Sequence, residues 1–239
     1  MPPTIHIVRH AQGYHNVGKY GEGIHDPFLT EEGKGQAQEL CSKFPHHDSI
    51  DLLAASPMCR TIQTCQIAFQ PAVDRGLKIL LIPHAQEASN EQMDTGSTQE
   101  VISEAFGDLV DMKQLDVHPY WNRNIGVFDV NAEALIERAR LLRRILRERP
   151  EKNIALVSHG SFAHYIVGNV DESGAQITRM WSNTECRSYQ FVAEDDEVAE
   201  LVETQESKDR RPDIEKQTDG YLLGNGAPRK NSAGAALSP

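Results

Sequence analysis

Arg9 and His10 stand together at the end of a short apolar run, Ile5, Ile7 and Val8, interrupted by His6. Arginine presents a planar fork of N–H donors that matches phosphate two atoms at a time. A neutral imidazole is a competent nucleophile near pH 7, because an ordinary pKa of about 6.5 leaves much of it unprotonated. A cation and an imidazole at the C-terminal end of a buried strand sit where open α/β sheets bind ligands. Taken alone, the stretch is equally a strand with a polar end. Its meaning depends on matching groups arriving from elsewhere in the chain.

Three other stretches send such groups. Ser56-Pro57, with Arg60 four residues on from Ser56, follows residues 51–55, which read as a short buried strand. Ser56 reads as the N-cap of a helix and Pro57 as its first residue, so Arg60 lies beside a helix N-terminus that favours anions. Glu87, with His84 and Gln86, follows the run 78–82, and Glu91 and Asp94 are near enough to compete with it. His159, within Ser158-His159-Gly160, follows residues 153–157. The pair His10 and His15 lacks the i, i+4 helical spacing of metal-binding histidines and has no cysteine nearby, so no metal site is expected. His6, His25, His46, His47, His84, His118 and His164 read as structural or solvent-exposed.

The elements that must position these groups alternate in type. Leu29-Thr30-Glu31-Glu32-Gly33 opens a helix, with Thr30 as cap and acidic residues at the positive end of its dipole. Ala37, Leu40, Cys41 and Phe44 give it one apolar face before Pro45. Ser97 and Glu100 form a capping-box pattern for a helix towards Phe106. Asn131 starts the strongest helix, whose Arg138, Arg140, Arg143, Arg144, Arg147 and Arg149, interleaved with glutamates, read as a solvated face. Residues 185–193 and 197–202 read as a closing hairpin. Strands alternating with helices imply an α/β fold in three layers, α/β/α, around a mainly parallel sheet. Right-handed crossovers then bring Arg9-His10, Ser56, Glu87 and His159 to one edge of that sheet. Residues 1–203 are expected as a single catalytic domain. Residues 204–239 are expected as a polar tail, disordered or loosely docked, with Tyr221-Leu222-Leu223 its one apolar cluster.

Composition narrows the classes of function. The chain has 239 residues and a formal net charge of −11, from 35 acidic and 24 basic side chains. That balance argues against nucleic-acid binding, which needs basic surface to displace counterions. A few focused cations still suffice for a small phosphate ligand. Cys41, Cys59, Cys65 and Cys186 form no CxxC pair. The sequence shows neither a secretory leader pattern nor a run long enough for a membrane span. A cytoplasmic protein with no membrane partner is expected; its oligomeric state is left open.

Several motifs occur in one order: Arg9-His10-Ala11 with Asn16, Leu29-Thr30-x-x-Gly33, Ser56-Pro57-Met58-x-Arg60-Thr61-x-Gln63-Thr64, and Ser158-His159-Gly160. Together, over residues 4 to 193, they resemble the histidine phosphatase superfamily, which includes cofactor-dependent phosphoglycerate mutases and many phosphatases. The resemblance implies that His10 takes the phosphoryl group as a phosphohistidine. It implies that Arg9, Asn16, Arg60 and His159 hold the phosphate, and that Glu87 gives the leaving group its proton. One departure is Ala11, where the family usually has glycine, so strain beside the nucleophile is an open question.

The chemistry fits these residue types. Phosphoryl transfer asks the catalyst mostly to position and neutralise charge, and the arginines do this without a metal or other cofactor. The leading expectation is a metal-independent hydrolase of a small phosphate monoester. The alternatives are a mutase, which needs a second anion site, and a protein that binds phosphate ligands without turnover. Specificity is expected from the cover over residues 86–129, where His118, Tyr120, Trp121 and Arg123 are placed to line a pocket.

Overall fold

Side chains along the central strands divide between two apolar layers, as a period of two requires. Leu53 and Ala55 enter one core, and Leu52 and Ala54 the other. The computed structural model describes residues 1–18, 21–192 and 197–211. In chain order its strands are β1 (Thr4–Arg9), β2 (Leu52–Ala55), β3 (Ile79–Leu81), β4 (Val110–Asp111), β5 (Asn153–Ser158), β6 (Cys186–Phe191) and β7 (Leu201–Glu203). Its helices are α1 (Glu31–Lys43), α2 (Cys59–Ala68), α3 (Gln70–Asp74), α4 (Gln99–Phe106), α5 (Lys113–Val117), α6 (Ala132–Arg147), α7 (Gly160–Ile166) and α8 (Gln205–Arg210).

The strands form one sheet in the order β4-β3-β2-β5-β1-β6-β7. The first five of these are parallel to one another, β6 is antiparallel to β1, and β7 is antiparallel to β6. Ala37 of α1, Ile62 and Cys65 of α2 and Ile102 of α4 cover one face. Leu135, Ala139, Leu142 and Leu146 of α6 cover the other, with Phe162 and Ile166 of α7. The protein is therefore α/β with three layers, as the alternation of elements implies. Thr30 and Asn131 cap α1 and α6 as expected, each accepting a backbone N–H at 3.0 Å, from Gly33 and Ala134 respectively. No helix among the described residues is long and apolar enough to cross a membrane.

Four local expectations need correction. Helix α2 begins at Cys59 with extended Met58 as its N-cap, so Ser56 does not cap it. The cap of α4 is Thr98; Ser97 instead donates its N–H to Asp26 Oδ2 at 3.0 Å. The arginine face of α6 is not all solvated, for Arg138 is 0% exposed and Arg143 8%. Both reach main-chain carbonyls of other segments, Arg138 those of Gln86 and Glu87, Arg143 those of Tyr165, Ile166 and Val198. Carbonyl acceptors carry no mark in the sequence. Finally, Trp121 does not line a pocket: it is buried against Gly96, where a Cβ would stand 2.0 Å from its ring. Tyr120 is exposed beneath the Arg123 guanidinium, 4.5 Å from the ring centroid.

The packed chain also continues past residue 203. Thr204 caps α8, and Ser207 Oγ accepts the Ser188 N–H at 2.9 Å, which ties α8 to β6. The rest of the expected tail, 212–239 with Tyr221-Leu222-Leu223, lies outside the described residues.

Candidate active site

Sheet register brings the candidate residues together. Val8 pairs with Val157 and Arg9 with Ser158 across β1 and β5, and Ala55 of β2 pairs with Val157. The next residues along these strands are therefore neighbours. His10 N–H donates to the Ser158 carbonyl at 2.9 Å, and Ser56 N–H to that of Val157 at 3.0 Å. The ring centroids of His10 and His159 are 5.3 Å apart.

His10 is 2% exposed, and its Nδ1 is 2.7 Å from the Ala11 carbonyl. A carbonyl only accepts, so Nδ1 carries the hydrogen. Burial, followed by the charges of Arg60, Arg9 and His15, holds the ring pKa well below 6.5. The ring is neutral at pH 7, which leaves Nε2 with a free lone pair. The peptide is fixed on both sides: Ala11 N–H donates to Thr64 Oγ1 at 3.0 Å, and Asn183 Nδ2 donates to the His10 carbonyl at 2.9 Å. Ala11 is not among the residues with positive φ, and its methyl is fully buried in the first core. The strain considered at that departure is absent from its backbone.

The Leu29-Thr30-x-x-Gly33 motif clamps the loop after His10. Thr30 N–H donates to the Gln12 carbonyl at 3.0 Å, and Thr30 Oγ1 to Gln12 Oε1 at 2.7 Å. A Cβ on Gly33 would stand 2.0 Å from the Gln12 carbonyl oxygen, so this position needs glycine for close approach.

The two arginines are held differently. Arg60 is 0% exposed; Nη1 donates to the Met93 carbonyl at 2.7 Å, and Nη2 to Asp94 Oδ1 at 2.7 Å and His159 Nδ1 at 3.0 Å. Since Nδ1 of His159 accepts, Nε2 carries its hydrogen and donates to Ser56 Oγ at 2.8 Å. Burial and Arg60 keep this ring neutral as well. Both nitrogens of His159 are thus engaged within the protein, whereas the sequence reading aimed one at the transferring group. Arg9 donates through Nη1 to the Trp181 carbonyl. Its guanidinium lies on Gly160, where a Cβ would be 3.0 Å from Nε, which explains the glycine after His159. The Nε–H groups of Arg9 and Arg60 are buried donors with no acceptor among the described residues.

Glu87 leaves the loop after β3 and lies at the start of α7. Its Oε1 accepts from Ala88 N–H at 2.8 Å and Phe162 N–H at 2.9 Å. Burial raises its pKa above 4.5, as does the nearby Asp94 carboxylate; the backbone donors and Arg60 pull the other way. Asn16 is exposed, and its Oδ1 accepts the Gly13 N–H at 3.0 Å, closing its own turn.

Other residues of the site were missed or set aside in the sequence. His15, dismissed with the metal pair, lies 5.3 Å from His10 between ring centroids, and burial with Arg60 and Arg9 lowers its pKa to about 3. Asp94 appeared only as a rival of Glu87, yet it is the ion-pair partner of Arg60. Asn183 had no signal at all, being a polar residue in an irregular segment.

Residues 5–205 match the model of the histidine phosphatase superfamily, branch 1. The chain belongs to that family. A Schizosaccharomyces pombe protein named as a probable phosphatase is 30% identical over 164 residues, covering 66% of this chain and 74% of that one. A phosphoglycerate mutase-like protein of Arabidopsis thaliana is 28% identical over 232 residues, covering 79% and 84%. Among solved structures, a phosphoserine phosphatase from Entamoeba histolytica in complex with phosphoserine shares the fold, with a TM-score of 0.52. It has 18% identity and covers 85% of this chain and 95% of that one. Family and relatives together support a phosphatase.

Proposed function

We propose that the protein hydrolyses a small phosphate monoester through a phosphohistidine formed on Nε2 of His10. The observation that carries this is the fixed tautomer of His10, whose hydrogen is committed to the Ala11 carbonyl while Nε2 stays bare. In the first step the Nε2 lone pair attacks phosphorus and the bond to the ester oxygen breaks. The protonated Glu87 carboxyl gives its proton to that oxygen, and the alcohol leaves. In the second step water attacks phosphorus, Glu87 takes a proton from it, and the P–N bond returns its electrons to Nε2.

Arg9 and Arg60, through their buried Nε–H groups, neutralise the equatorial oxygens. This charge supplies what a metal ion supplies elsewhere, so the reading needs no cofactor. His159 acts by seating Arg60, and Asn16 contributes its amide nitrogen to the phosphate while its oxygen holds the turn.

Hydrolysis of p-nitrophenyl phosphate in the presence of EDTA tests the reading, with loss of activity expected in His10→Ala. An EDTA-sensitive rate contradicts the metal-free mechanism. Transfer to a second acceptor without phosphate release selects a mutase, and vanadate binding without turnover selects a binding protein. A screen of phosphorylated metabolites identifies the substrate.

A further inference from the structure

Arg138 is one of the largest side chains in the interior, with 0% exposure, and the chemistry above does not use it. It reaches from α6 across to the loop after β3. There Nη2 donates to the Gln86 carbonyl at 3.0 Å and the Glu87 carbonyl at 2.8 Å. Its guanidinium also lies over Phe162, with Cζ 4.2 Å from the ring centroid. Phe162 is the residue whose N–H holds Glu87 Oε1 at 2.9 Å. One guanidinium thus grips both sides of the proton donor, the peptide that carries Glu87 and the helix turn that receives its carboxyl group. Its Nε and Nη1 have no acceptor among the described residues, so burial there is costly and is not explained by packing alone. Burial lowers the pKa of Arg138, and the Glu87 carboxylate opposes that fall.

We infer that Arg138 is a positioning residue for proton donation, fixing the Glu87 carboxyl between the loop after β3 and the first turn of α7. It acts through Glu87 and is not expected to touch substrate. The inference rests on the role proposed for Glu87.

Two substrates separate positioning from mere support of the fold. p-Nitrophenolate is stable as an anion and needs little protonation on leaving; the alkoxide of glycerol 2-phosphate needs a full proton. Glu87→Gln should lower kcat/KM for glycerol 2-phosphate by about 100-fold and for p-nitrophenyl phosphate by less than about tenfold, the lower end of general-acid contributions. Arg138→Met should reproduce that split, and Arg138→Lys, which keeps a cation but loses the planar fork, should show it in part. An equal loss on both substrates in a folded Arg138 variant, beside a split in Glu87→Gln, overturns the inference and leaves Glu87 in place. Absence of a split in Glu87→Gln overturns the role of Glu87 and the inference with it. If Arg138→Met does not fold, Arg138→Lys decides on the same two substrates.

Discussion

Burial drives His10 and Glu87 in opposite directions of charge and to the same end. Each is pushed towards its neutral form, a bare base in one case and a protonated acid in the other, which are the two states the proposed first step requires. With His10 held below 6.5, the acid-side fall in kcat/KM belongs below that pH, where the ring protonates. With Glu87 held above 4.5, the alkaline-side fall follows its deprotonation. Glu87→Gln should therefore erase the alkaline limb for a good leaving group and keep the acid limb; a surviving alkaline limb assigns it elsewhere. Asp94→Asn keeps an acceptor for Arg60 but removes a like charge from Glu87, so the alkaline limb should move to lower pH. An unmoved limb contradicts the coupling. At this scale the sequence already exposes Arg9, His10, Arg60, Glu87 and His159, because each follows an apolar strand or opens the next helix. It hides Asp94 and His15, because a loop carboxylate and a loop imidazole acquire meaning only from the side chains that meet them.

Elements hold His10 by close approach of backbones, and glycines show where. On α1, Gly33 lies against the Gln12 carbonyl, while a Cβ on Gly35 would meet nothing within 4 Å. Gly33→Ala should destabilise the protein by about 1–3 kcal/mol in urea unfolding, the usual cost of overpacking, and lower kcat by displacing the loop after His10. Gly35→Ala is the matched control and should be neutral or stabilising by up to about 1 kcal/mol, through helix propensity. Equal behaviour of the two variants rules out the clamp. Thr30 and Asn131 are legible as caps because their side chains bond to their own helices. The true start of α2 is not, since Ser56 is taken by His159 across the sheet. Strand β4 has two residues, too few for any periodicity, and the burial of Trp121 depends on a glycine 25 positions away in sequence.

Across the whole molecule, buried neutral histidines link stability to pH. Burial takes His6 from 6.5 to about 3 and His84 to about 4, while the unfolded chain keeps the ordinary value. Their contribution is complete above pH 6.5 and is lost progressively as pH falls from there to the folded values, because the unfolded state binds protons first. Each such group adds a slope of up to about 1.4 kcal/mol per pH unit. The urea midpoint should fall between pH 7 and pH 5, less steeply in His84→Asn; a flat wild-type profile contradicts the burial of neutral rings. The three-layer fold is legible at this scale from alternating element types, and the site from the strand ends that such a sheet aligns. The central claim concerns covalency. Rapidly quenched protein, turning over a phosphorylated substrate, should gain the mass of one phosphoryl group. That label should be acid-labile, map to the peptide carrying His10 and vanish in His10→Ala. A label on another residue, or undiminished turnover by His10→Ala, contradicts the account.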